Sequence, residues 1–243
     1  MATLAANLRR ADTPLAQSIR VWVALLGFLA GVQLFITYVG AGLERDPRAS
    51  LFSWPAIALF GGLGLVGIWL SHKTGFPAAD RVGMWPIALG LAIGAVMSGA
   101  DVAIGWTRVF AEQHTLETFN VPFPGSVLFY TGGAILSEVF FRLLPIPLLL
   151  WLISRLILRG RAESQVFWVL AVLTSCVEPY LQDLLDVRPE TLFLAITAFI
   201  PDYALNMGEA VFFRRYGFLA AIVMRIAFYL VWHVAYGNLI CRC

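Results

Sequence analysis

Seven stretches of this chain run almost without charge, each for about the length of a membrane span. They lie at roughly 21–42, 51–71, 85–106, 125–154, 165–182, 190–213 and 216–239. About 20 residues of α-helix rise about 30 Å, the thickness of a bilayer's hydrocarbon core. Lipid offers no hydrogen bonds, so a spanning segment must satisfy its own backbone, as a helix or within a closed barrel. Ten-residue alternating segments, the mark of a barrel, are not evident. The spacing therefore predicts an all-α fold: a multi-pass transmembrane helical bundle of about seven spans, with residues 1–243 forming a single integral membrane domain. Composition agrees, with 60% of the residues hydrophobic and 13% charged, where a soluble domain carries about a quarter charged.

Details of the runs qualify the count. The fourth is long for one straight crossing, and Pro145 and Pro147 predict one bent helix or a helix plus a re-entrant piece. The fifth is short and turns polar toward its end. Residues 107–124, holding Glu112, His114 and Glu117, read as a solvated loop. Gly27 with Gly31 and Gly90 with Gly94 are spaced to let helices approach closely. No internal repeat of the kind that builds many transporters is evident. Residues 1–20 hold Arg9, Arg10, Asp12 and Arg20 and show no cleavable signal pattern. Three cysteines without paired spacing argue against a disulfide framework, and the ending Cys241-Arg242-Cys243 is not a prenylation box. A net charge of +2 carries no nucleic-acid signature.

Basic residues fall unevenly between the runs. Ten (Arg9, Arg10, Arg20, Lys73, Arg81, Arg155, Arg159, Arg161, Arg214 and Arg215) lie on one side of a seven-span arrangement. Five (Arg45, Arg48, Arg108, Arg188 and Arg242) lie on the other. The positive-inside rule then predicts a cytoplasmic N-terminal segment, 1–20, and an external C-terminus, in what reads as a prokaryotic cytoplasmic membrane.

Charges at membrane depth are expensive, so they mark either pairing inside the bundle or chemistry. This chain places Asp101, Glu138, Arg142, Glu178, Asp202, Glu209, Arg225 and His233 there. Glu138 and Arg142, four apart, share a helix face. Asp202, Asn206 and Glu209 form a stripe at i, i+4 and i+7, and Arg225, Tyr229 and His233 one at i, i+4 and i+8. Three late helices thus each carry a polar face, and these are expected to meet. Arg225 sits too deep to snorkel, so it requires a carboxylate partner: Glu138 or Glu178 first, Asp202 second. The outer members, Asp202 and Glu209, read as lying near a membrane end. His233 by itself fits a hydrogen-bonded helix residue as readily as a ligand.

The segment Ser137-Glu138-Val139-Phe140-Phe141-Arg142, with Arg214-Arg215-Tyr216-Gly217 ahead of the last apolar run, resembles the CAAX protease and bacteriocin-processing (CPBP, or Abi) family of intramembrane proteases. The resemblance covers roughly residues 125–237. It implies a glutamate that, helped by histidines and an amide or acid, activates water against a peptide bond inside the bilayer. Glu138 and Arg142 match the family's first motif, but Ser137 stands where its first glutamate belongs. Val177 or Glu178 falls where the second-motif histidine belongs, Arg225 where the third-motif histidine does, and Tyr229 in place of its Asn or Asp. His233 lies eight residues past Arg225, where some members carry a further histidine.

Glu138, Arg142, Glu178, Arg225 and His233 are accordingly the candidate catalytic residues. Arginine keeps its proton and cannot serve as a base. Its charge also opposes a divalent cation between Glu138, Glu178 and His233, so neither a metal nor another cofactor is expected. The expected function is that of a non-catalytic binding or regulatory relative, partnered by the lipid bilayer and by another membrane protein or a peptide. An active endopeptidase using Glu138 as base is the alternative, and a small-molecule or lipid transporter the third reading.

Overall fold

The computed structural model describes residues 14–40, 42–79, 82–113, 119–185 and 187–241. Among these residues there are helices, turns and connections, and no strand. Seven helical runs are long and apolar enough to cross a bilayer: Pro14–Tyr38, Trp54–Lys73, Met84–Ile104, Gly125–Ile157, Glu163–Leu184, Pro189–Tyr216 and Phe218–Cys241. The protein is thus an all-α, seven-span bundle, and the fifth run counts as a span. Between 22% and 50% of each span's apolar window is buried within the protein, so most of the apolar surface faces outward, as a lipid-facing bundle requires.

The α-helices are α1 (Pro14–Tyr38), α2 (Trp54–Lys73), α3 (Met84–Ile104), short α4 (Trp106–Gln113), α5 (Gly125–Glu138), α6 (Pro145–Leu150), α7 (Glu163–Pro179), α8 (Leu192–Tyr216) and α9 (Phe218–Tyr229). The long fourth run is one continuous helical path. A π turn over Val139–Leu143 joins α5 to α6, and Leu144 N–H reaches back five residues to the Val139 carbonyl at 3.2 Å. Pro145 explains the break: it has no N–H to continue the α pattern, but it is well placed to begin α6. Further π segments extend α6 over Trp151–Ile157, α7 over Tyr180–Leu184 and α9 over Leu230–Cys241.

Helix α9 packs against α3, α8 and α5, while α7 packs against α8 and α1 against α2. The apolar core falls into two clusters. One gathers Trp22, Phe52, Phe129, Leu143 and Phe213. The other gathers Met97, Trp106, Leu205, Phe228 and Trp232. Only one of the two glycine pairs lets helices meet. A Cβ at Gly90 would run into the backbone carbonyl of Met224, and one at Gly94 would lie 2.9 Å from Val231 Cβ. Gly27 and Gly31 face open space, so the close packing expected of them within the chain does not occur.

The connection after α3 also departs from the expected solvated loop. Asp101 Oδ1 accepts from the Thr107 amide at 2.7 Å and caps α4, while Trp106, Thr107, Asn120 and Val121 are buried against the bundle. Glu112 is exposed and pairs with Arg108; His114 and Glu117 lie outside the described residues. Cys176 is a free thiol, whereas Cys241 is disulfide-bonded, which the odd cysteine count did not lead one to expect.

Candidate functional site

Four helical spans bring polar side chains to one place in the interior. Glu138 is the last residue of α5, and Arg142 follows in the π turn. Glu178 lies one residue before the end of α7, and Asn206 and Glu209 lie on α8. Arg225 and Tyr229 come from α9. Two glycines mark contacts beside these residues. Gly208 of α8 lies against the Met224 side chain of α9, where a Cβ would meet Met224 Cε at 2.6 Å. A Cβ at Gly67 of α2 would meet the Leu143 backbone carbonyl, beside Arg142, so there α2 and the π turn approach at backbone distance.

Arg225 is the hub. Its Nη1 and Nη2 donate to Oε1 and Oε2 of Glu178, both at 2.6 Å, the parallel fork that makes arginine–carboxylate pairs strong. Its Nε donates to Glu138 Oε1 at 3.0 Å, and Nη2 also reaches Glu209 Oε2 at 2.7 Å. Tyr229 OH accepts from Nη1 at 3.2 Å. Arg142 braces the same carboxylates from the other side, Glu138 at 3.2 Å, Glu209 at 2.9 Å and Glu178 at 3.6 Å. It also donates to the Asn206 side-chain oxygen and backbone carbonyl. All five charged residues are at most 2% exposed.

Such burial strips each ion of water, a cost of several kcal/mol per ion that only dense pairing offsets. The arrangement meets that requirement by sharing: each arginine contacts all three carboxylates. Chemically, a carboxylate held by two guanidiniums is a poor base, because accepting a proton means giving up those contacts. Among the described residues, no three His, Cys, Asp or Glu side chains are disposed to hold a metal ion.

Of the candidates read from the sequence, Glu138, Arg142, Glu178 and Arg225 converge, and Arg225 has both of its first-choice partners. His233 does not join them. Its Nδ1 pairs with Asn120 Oδ1 at 2.8 Å, and its ring stacks on Tyr130 at 4.1 Å between centroids. Asp202 is not among the ion-pair partners of Arg225; Glu209, two helical turns further along α8, takes that position. Glu209 is wholly buried and paired with both arginines. The i, i+4, i+7 stripe had pointed at it, with Asn206, but not at its place among the arginines' partners. Asp101, also deep, belongs to a separate network, accepting from Tyr236 OH at 2.5 Å.

A second polar group is built around Arg48. Arg48 Nε and Nη2 donate to the Asp46 carboxylate at 2.9 and 2.6 Å, and Nη1 donates to the Phe119 carbonyl at 3.0 Å. Burial pushes the Asp46 carboxyl up, but the Arg48 hydrogen bonds and charge outweigh it and hold the group below its ordinary value. Tyr130 OH, next to this pair, accepts from the Val121 amide at 3.1 Å.

No protein-family model, curated protein or solved structure matches the chain.

Proposed function

We propose that this protein is a divergent, non-catalytic relative of the CPBP intramembrane proteases that works by binding within the membrane. In this reading its N-terminal segment is cytoplasmic and its C-terminus external. One observation carries the proposal: the Arg225 guanidinium occupies the centre of the site and closes on Glu138, Glu178 and Glu209 at 2.6–3.0 Å. Glu138, the only carboxylate matching the family's first motif, is thereby held by two permanent cations and is 1% exposed. A peptide and an attacking water both need access to such a base, and burial and pairing deny it. With hydrolysis set aside, the buried ions act as a rigid frame, and the protein's activity resides in what its outer helix faces hold: lipid, another membrane protein or a peptide.

The test uses the full chain in liposomes with a quenched transmembrane peptide panel. The parent and Glu138→Gln are expected to give the same background cleavage. Cleavage by the parent that Glu138→Gln abolishes, with the helical fold intact, would establish the endopeptidase reading instead.

A further inference from the structure

The ion cluster does not balance. Two guanidiniums, of Arg142 and Arg225, face three carboxylates, of Glu138, Glu178 and Glu209, so the fully ionised group carries one net negative charge. The surrounding elements deepen the deficit. Asp183, in the π turn after α7, is 7% exposed, and Asp202 lies on the Glu209 stripe of α8; each lies within electrostatic reach of Glu178. Among the described residues, the other side chains hydrogen-bonded to the cluster are uncharged at neutral pH: Tyr229 of α9, Asn206 of α8 and Gln182 of the π turn after α7. Asp101 of the adjoining α3 is directed at Tyr236 and Thr107, and the His72 and Lys73 of α2 stand at that helix's end.

Among the described residues two buried carboxylate oxygens have no hydrogen-bond partner, Asp183 Oδ2 and Glu209 Oε1, and only the second belongs to a residue paired with the arginines. Both oxygens of Glu178 accept from Arg225. Glu209 directs Oε2 at both arginines, while its Oε1 is buried with no hydrogen-bond partner. A carboxylate oxygen without a donor, on a residue 0% exposed, carries a desolvation penalty that no hydrogen bond to that oxygen offsets. A metal cation is a poor remedy, since alkali and alkaline-earth ions need about six oxygens and two guanidiniums repel them. A proton needs one oxygen.

We infer that the cluster is a membrane-embedded proton-binding site, holding one exchangeable proton on Glu209 Oε1. The proton comes from water, the carboxylate becomes a neutral acid, and the group passes from one net negative charge to none while both arginine contacts to Oε2 remain. The inference rests on the geometry and charge count of the cluster and stands whether or not the protein is related to proteases.

Infrared spectroscopy of the purified full chain tests it, because a carboxylic-acid carbonyl absorbs apart from ionised carboxylates. Protein labelled with carbon-13 at glutamate is expected to show an isotope-shifted acid band at pH 7, which assigns it to glutamate without any substitution. That band should vanish on alkaline titration, be missing from Glu209→Gln, and ignore replacement of sodium and potassium by choline at equal ionic strength. Glu209→Gln, which mimics the protonated form, should keep the thermal stability of the parent at neutral pH, and its melting temperature should fall less at alkaline pH. Absence of a labelled acid band at pH 7, or its survival in Glu209→Gln, overturns the assignment. So does a melting temperature that drops when sodium and potassium are removed, which would make the ligand a cation. Each readout is independent of peptide cleavage.

Discussion

Arg225 ties α9 to carboxylates on three other helices, and the energetics of burial make its removal one-sided. Taking it away leaves three buried carboxylates to share Arg142 alone, and breaking a buried pair costs about 3–5 kcal/mol. Arg225→Leu should therefore lower the melting temperature in detergent strongly. Adding Glu178→Gln, which removes the carboxylate held by the 2.6 Å fork, should recover part of the loss. Strictly additive effects would mean that the two are not coupled. A surface pair behaves differently. Asp46 lies below its ordinary value through its bonds to Arg48, so its contribution is present above the unfolded value of about 4 and fades as pH falls through the lower folded one. Across a titration from neutral pH to about pH 3, the parent should lose its small stability advantage over Asp46→Asn. An advantage that persists unchanged in acid would exclude the pair as its source.

Among the elements, α9 is the one against which the others are set. It meets α3 through Gly90 and Gly94, α8 through Gly208, and α5 through the ion cluster. The glycine pairs give opposite expectations for the same substitution. Alanine at Gly27 meets nothing within 4 Å and gains helix propensity of up to about 1 kcal/mol. Alanine at Gly90 drives a methyl group into the Met224 carbonyl, which backbone cannot easily yield, and overpacking of this kind costs about 1–3 kcal/mol. Thermal unfolding of Gly27→Ala and Gly90→Ala should move in opposite directions. A tolerated Gly90→Ala would show that α3 and α9 are not held as described. The π turns have a related logic. Those after Glu138, Pro179 and Tyr229 begin within two residues of a cluster member, and such turns often occur at functional positions in helices.

For the whole molecule, seven crossings predict that the two ends of the chain lie on opposite sides of the membrane, and the distribution of basic residues predicts which is which. With ten basic residues on one side against five on the other, the N-terminal segment is expected in the cytoplasm. Reporter fusions at Arg10 and Arg242 should report opposite compartments. Same-side signals would contradict the seven-span reading and leave one of the apolar helices lying outside the membrane.

Span number, helical class and the presence of a charged interior followed from the sequence alone, because each depends on local quantities: the length of an apolar run, its period, and the cost of a charge in lipid. The pairing of Arg225 with Glu138 and Glu178 was legible for the same reason, as a deep arginine must find a carboxylate on a neighbouring helix. Tertiary structure decided which acid on α8 would complete the site. Asp202 and Glu209 share one face of that helix, and no local pattern ranks them. The packing of α8 against α9, with Gly208 beside the Met224 side chain, gives the register that brings Glu209 to the arginines. The same holds for His233, which shares a helix face with Arg225 but lies two turns on, where the folded 119–124 connection supplies Asn120 as its partner. Sequence spacing fixes direction around a helix; depth along it is set by the packing of neighbours.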